Sequence, residues 1–204
     1  MDNFKRSIPF LLIYTRILLG IVILIFSINH VKYYNLITLI LFSIGLLTDI
    51  FDGIIARQLN ISSTRLRRLD STADQIFFVL ITIATFIECP QFFYNHSIKM
   101  ILLIGIEAVT YIISFIKFRK EVATHAIASK FWTLILFATL MQIILTCRSE
   151  ILFELCFYVG MLTRLEIIGI LFLLPEWTND VPSIFHAFML RKGKPIKRHK
   201  LFNG

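Results

Sequence analysis

Six apolar runs, at residues 8–28, 34–57, 69–88, 98–118, 130–147 and 151–175, constrain this chain more than any other feature. Each is about as long as the roughly 20 helical residues that cross a hydrocarbon core of about 30 Å. A single soluble domain of 204 residues cannot hide six such segments, and a composition that is 57% hydrophobic with 20 phenylalanines lies far from that of soluble domains. The expected fold is therefore all-α, a polytopic membrane protein built as a six-transmembrane-helix bundle. The connections are short and polar, with no tandem repeat or low-complexity linker. One transmembrane domain over residues 1–175 followed by a basic tail over 176–204 is the expected organisation.

Orientation follows from the basic residues, since loops rich in Lys and Arg stay cytoplasmic. Sixteen of the 21 fall at one set of span ends, among them Lys5, Arg57, Arg68, Lys117, Arg119 and Lys130, whereas only Lys32, Lys99 and Arg148 fall at the other. An even number of crossings then puts both termini in the cytoplasm. Arg16 interrupts the first run and no small-residue cleavage site follows, so the first segment reads as a retained helix rather than a signal peptide. Residues Met1–Phe10 are expected either to lie along the cytoplasmic face before the chain turns in at Pro9 or to fray into solvent.

Carboxylates within or beside a span are costly and usually functional. Asp49 and Asp52 are three apart near the cytoplasmic end of the second run, and Asp70 and Asp74 are four apart at the start of the third. Both spacings keep a pair on one helix face. A connection of roughly a dozen residues would bring the two helices alongside each other, so that four carboxylates converge. Such a cluster must take up protons, find basic partners such as Arg57, Arg65, Arg67 and Arg68, or bind cations. Hard oxygen ligands favour Mg²⁺ or Mn²⁺, and two ions about 4 Å apart would clamp a pyrophosphate. Gly53 and Ala56 leave room for a nucleotide against the backbone, and Arg57 offers a partner for phosphate.

The stretch Asp49-x-x-Asp52-Gly53-x-x-Ala56-Arg57, continued by Asp70-x-x-x-Asp74, resembles the signature of the CDP-alcohol phosphotransferase family. Seven of the eight fixed positions match; Leu66 stands where the pattern has its second glycine, adding bulk where the nucleotide would pack. Pro9, Leu12 and Arg16 echo a family pattern near the N-terminus, and Lys130 and Thr133 echo one before the fifth span. The resemblance implies a six-span bundle, usually homodimeric, that moves a phosphoalcohol unit from a CDP-linked lipid donor to the hydroxyl of a small polar alcohol, releasing CMP. It implies that Asp49, Asp52, Asp70 and Asp74 hold two Mg²⁺ or Mn²⁺ ions and that Asp74 is also the general base. It further implies that Asp49, Gly53, Ala56, Arg57 and Asp70 bind the nucleotide.

An anionic acceptor such as glycerol 3-phosphate would need nearby basic side chains, and Arg16, Arg119, Lys120 and Lys130 are the candidates on the cytoplasmic side. Phosphatidylglycerophosphate synthesis at a bacterial cytoplasmic membrane is the resulting expectation. Two non-enzymatic readings stand beside it: an adaptor on an inactive scaffold, and a divalent-cation carrier, which would want its acidic site near the bilayer midplane. Glu107, Glu154, Arg164 and Glu166 read as helix-to-helix pairing rather than a second site. Cys89 and Cys147 fall in loops on the outer side, where a disulfide is topologically possible but not demanded, and Cys156 lies within a span. The basic tail lacks any nucleic-acid recognition pattern, so membrane lipid is its expected partner and nucleic acid is not.

Overall fold

A computed structural model of the chain describes residues 2–59, 64–120, 122, 127–178 and 181–194, and the side chains of residues 2–6, 56–58, 64, 65 and 67 lie outside that description. The expectations for Lys5, Arg6, Ala56, Arg57, Arg65 and Arg67 therefore fall on side chains that are not described, and those for residues 195–204 fall outside the described residues altogether. The elements are all helical: α1 (Asp2–Ile28), α2 (Tyr34–Gln58), α3 (Thr64–Glu88), α4 (Pro90–Asn95), α5 (Ser97–Phe118), α6 (Ile127–Thr146), α7 (Ile151–Leu173) and α8 (Ile184–Arg191). Six of them, α1 to α3 and α5 to α7, are long and apolar enough to cross a membrane. Their crossing segments, from Ser7–Ile28 to Ile151–Leu173, agree with the six apolar runs to within three residues at every end.

Three features depart from the sequence reading. Helix α1 runs through Pro9 without a turn. Proline forfeits one backbone hydrogen bond, yet its fixed φ is helical, and an apolar run on its far side favours continuing the ladder. The described charged residues after Ile55 and before Asp70 are also largely helical, α2 reaching Gln58 and α3 running from Thr64, so both helices extend past their apolar runs. Hydropathy marks where a helix enters an apolar medium, not where it ends. Helices α4 and α8 have no counterpart in the sequence reading, being too short to register as periodicity.

The chain groups into two compact units. The first comprises residues 1–93 together with 140–148, the end of α6. Here α1 packs along both α2 and α3, which touch each other much less. The reason lies in the buried stripe of α1, where Ile13, Arg16, Gly20, Ile23 and Ser27 recur at helical spacing while Leu11, Leu18 and Ile25 on the opposite face stay exposed. Helix α3 answers with Ala73, Phe77, Ile81 and Ala84. Gly20 lets the two backbones close, since a Cβ there would come within 3.0 Å of Leu80 and 3.1 Å of Phe77. Helices α2 and α3 meet at a knot of rings, Phe42 lying 5.6 Å from Phe77 and 5.8 Å from Phe78. Beyond α3, Cys89 is bonded to Cys147. The bridge decides a pairing that the sequence left open: residues 58 apart are brought together by the end of α6 packing in this unit.

The second unit comprises residues 94–139 and 149–204. Its core is a cluster of Ile167, Ile170, Leu171 and Leu174 from the end of α7 with Val181 and Ala187. Lys117 fastens α5 to the C-terminus of α7, its Nζ donating to the carbonyls of Leu171, Phe172 and Leu174 at 2.8, 3.0 and 2.9 Å. Those are carbonyls that a helix end leaves without partners. Arg164 pairs with Glu107 and Lys99 with Glu154, both between α7 and α5, as the helix-pairing reading expects.

Candidate active site

The acidic motif lies wholly in the first unit. On α2 the buried stripe runs through Thr38, Phe42, Gly45 and Thr48 to Asp52, which is 3% exposed, while Asp49 sits beside it and is partly exposed. On α3, Asp70 and Asp74 occupy successive turns next to buried Ala73 and Phe77, and both remain partly exposed. The spacing argument thus holds. Asp49, Asp70 and Asp74 each offer an oxygen, and these lie within 4.8 Å of one another. The donor set is all carboxylate, which fits a hard divalent cation such as Mg²⁺ or Mn²⁺ and suits no soft metal.

Helix α1 supplies what the acidic spacing does not reveal. Arg16, 1% exposed, reaches into the cluster from between α2 and α3. Its Nη1 lies 3.1 Å from Asp49 Oδ1 and 3.1 Å from Asp70 Oδ1, and pairs also with Asp74. Its Nη2 pairs with Asp52. All four motif carboxylates therefore share one guanidinium. The sequence contained the signal, because a charge two turns into an apolar run must find a partner within the bundle, and the only acids clustered at that depth are these four.

Leu66 does not stand free at the start of α3. It is 4% exposed and packs with Ile13 and Ala73, flanked by Ile17 and Leu69. Ile13 and Ile17 bracket Arg16 in the sequence of α1, so the leucine that departs from the family signature packs against the stretch of α1 that carries the guanidinium. Gly53 follows Asp52 on α2 and is half-buried. Arg119, Lys120 and Lys130 belong to the second unit and are exposed. Arg119 closes α5 in the left-handed conformation, with φ of 52°, and Lys120 Nζ lies 4.6 Å from the centre of the Trp177 ring.

A family model, CDP-alcohol phosphatidyltransferase, matches residues 6–174. The chain belongs to that family. No individual curated protein and no solved structure matches it. Membership means a multi-pass membrane phosphotransferase of lipid synthesis, moving phosphatidyl groups from a CDP-alcohol, in a family that is generally dependent on divalent metal. The matched region takes in α1 with Arg16, both Asp pairs and all six candidate spans of this phosphatidyltransferase.

Proposed function

We propose that the protein transfers a phosphatidyl group from a donor such as CDP-diacylglycerol to glycerol 3-phosphate, releasing CMP, at a site facing the cytoplasm. The observation that carries this reading is the convergence of Asp49, Asp70 and Asp74 on one point in a chain matched by the family over nearly its whole apolar length.

Asp49, Asp52, Asp70 and Asp74 would bind the metal ions, and Gly53, Ala56 and Arg57, with Asp49 and Asp70, would receive the cytidine diphosphate. Divalent ions, when bound, supply neutralisation of the diphosphate charge. Asp74 takes the proton of the acceptor hydroxyl. The acceptor oxygen bonds to the phosphatidyl phosphorus, the bond from that phosphorus to the bridging oxygen breaks, and CMP leaves with the bridging oxygen. Arg16 is the proposed partner of an acceptor phosphate; the other basic candidates, Arg119, Lys120 and Lys130, belong to the second unit. A homodimer is the proposed assembly, in line with the family resemblance.

Purified full-length protein should release CMP only when Mg²⁺ or Mn²⁺, a CDP-linked lipid and an acceptor are all supplied, and glycerol 3-phosphate should outcompete serine or inositol phosphate. Asp74→Asn should lower the turnover by about 10²- to 10⁴-fold. Activity surviving that change would remove Asp74 as the base. One observation favours a second reading, a non-catalytic adaptor: Leu66 stands where the family signature has its second glycine. Absence of CMP release across the whole panel would favour it, and metal uptake without CMP release would favour a cation carrier.

A further inference from the structure

The position of Arg16 bears on how metal reaches the carboxylates. A single nitrogen, Nη1, contacts one oxygen from each of Asp49, Asp70 and Asp74, the same three residues whose oxygens lie close enough to share an ion. A cation held by that triad would need the volume that Nη1 fills. The two occupants are mutually exclusive.

We propose that Arg16 is a resident counterion that competes with the divalent cation for the Asp49–Asp70–Asp74 triad, so that loading of metal and release of the guanidinium are one event. The proposal rests on the reading of the triad as a metal site.

Three physical points support it. One guanidinium leaves four carboxylates with net negative charge, so attraction for a divalent ion persists while Arg16 is in place. The paired state is also imperfectly satisfied, because Nε of Arg16 is buried without a hydrogen-bond partner among the described residues. Finally, the stretch of α1 that carries Arg16 is fixed on either side of it, Ile13 and Ile17 being packed with Leu66, Leu69 and Ala73, so the backbone can stay in place while the guanidinium moves. A released guanidinium on that anchor is a planar, bidentate donor beside the cluster, the chemistry that recognises a phosphate. Metal entry would therefore present Arg16 to a substrate phosphate, tying the two binding events together as a positive coupling.

Direct titration of Mn²⁺ into purified full-length protein, followed by calorimetry and by the electron paramagnetic resonance signal of free Mn²⁺, tests this without reference to turnover. Removing the competitor in Arg16→Gln should tighten Mn²⁺ binding by about tenfold. Arg16→Lys should fall between, since an ammonium on a shorter stem cannot span the positions of Nη1 and Nη2. Mn²⁺ should also raise the unfolding temperature of Arg16→Gln more than that of the wild type. Unchanged or weaker Mn²⁺ affinity in Arg16→Gln overturns the competition. If Arg16→Gln does not yield folded protein, Arg16→Lys decides: affinity equal to wild type overturns the proposal, and tighter binding supports it. Asp70→Asn separates the two layers of the inference. Wild-type Mn²⁺ binding in Asp70→Asn removes the metal site itself and the proposal with it, whereas lost binding there alongside unchanged Arg16→Gln removes only the competition.

Discussion

Leu66 and Ile13 pack together across α3 and α1, and Ile13 lies one helical turn before Arg16, so the residue that breaks the family signature steadies the stretch of α1 that carries the carboxylates' partner. Leu66→Gly would restore the family pattern, and its expected effect is loss rather than gain. It empties a site that is 4% exposed and puts glycine inside a helix, together costing about 3 kcal/mol or more of stability, to be read as a fall in unfolding temperature in detergent. A rise in CMP release at unchanged stability would instead mean that the leucine stands in the donor's path. Asp52 is the deepest of the four acids, and Asp52→Ala leaves the buried Arg16 short of a partner; breaking such a pair costs about 3–5 kcal/mol. The four aspartates were legible in the sequence because each pair shares a face within its own helix, a local property. That Arg16 needs an acidic partner within the bundle was legible as well; that one guanidinium serves all four was not, because it depends on α1 running along both α2 and α3.

Hydropathy located the candidate spans because apolar length is a local quantity, but it misjudged the connection between α2 and α3, whose charged flanks stay helical. The sequence reading set those two helices side by side; α1 instead packs along both, since its stripe carries Gly20 where close approach is needed. Gly45 plays the corresponding part on α2. A Cβ at that position would run into the ring of Phe77, which is itself held against Phe42 and Phe78. Gly105 on α5 has, among the described residues, no atom beyond its chain neighbours and its own helix backbone within 4 Å of where its Cβ would lie. Alanine improves helix propensity at either position by about 1 kcal/mol, so sign distinguishes them. Gly105→Ala should be neutral or stabilising, and Gly45→Ala should destabilise by about 1–3 kcal/mol through overpacking. Equal unfolding temperatures for the two variants would mean that the ring knot yields more easily than its packing indicates.

At the scale of the molecule, two independent features bear on which way the chain crosses the membrane. Asp70 and Cys89 are nineteen residues apart on and just beyond α3, which at about 1.5 Å per residue separates them by roughly 28 Å, close to the thickness of a hydrocarbon core. The carboxylates and the Cys89–Cys147 bridge therefore belong at opposite faces. Disulfides persist in oxidising compartments and are rare in the cytosol. The bridge end is thus expected outside and the carboxylate end inside, the orientation that the excess of Lys and Arg independently favours. In intact cells, a membrane-impermeant maleimide should label the exposed Cys147 only after a membrane-impermeant reductant has opened the bridge, while Cys89 and Cys156, both buried, stay unlabelled throughout. Labelling that requires inverted vesicles would reverse the orientation and put the acidic site outside, away from cytosolic nucleotides. Labelling without reductant would show the bridge unformed in the cell, leaving the basic residues as the sole support for a cytoplasmic site.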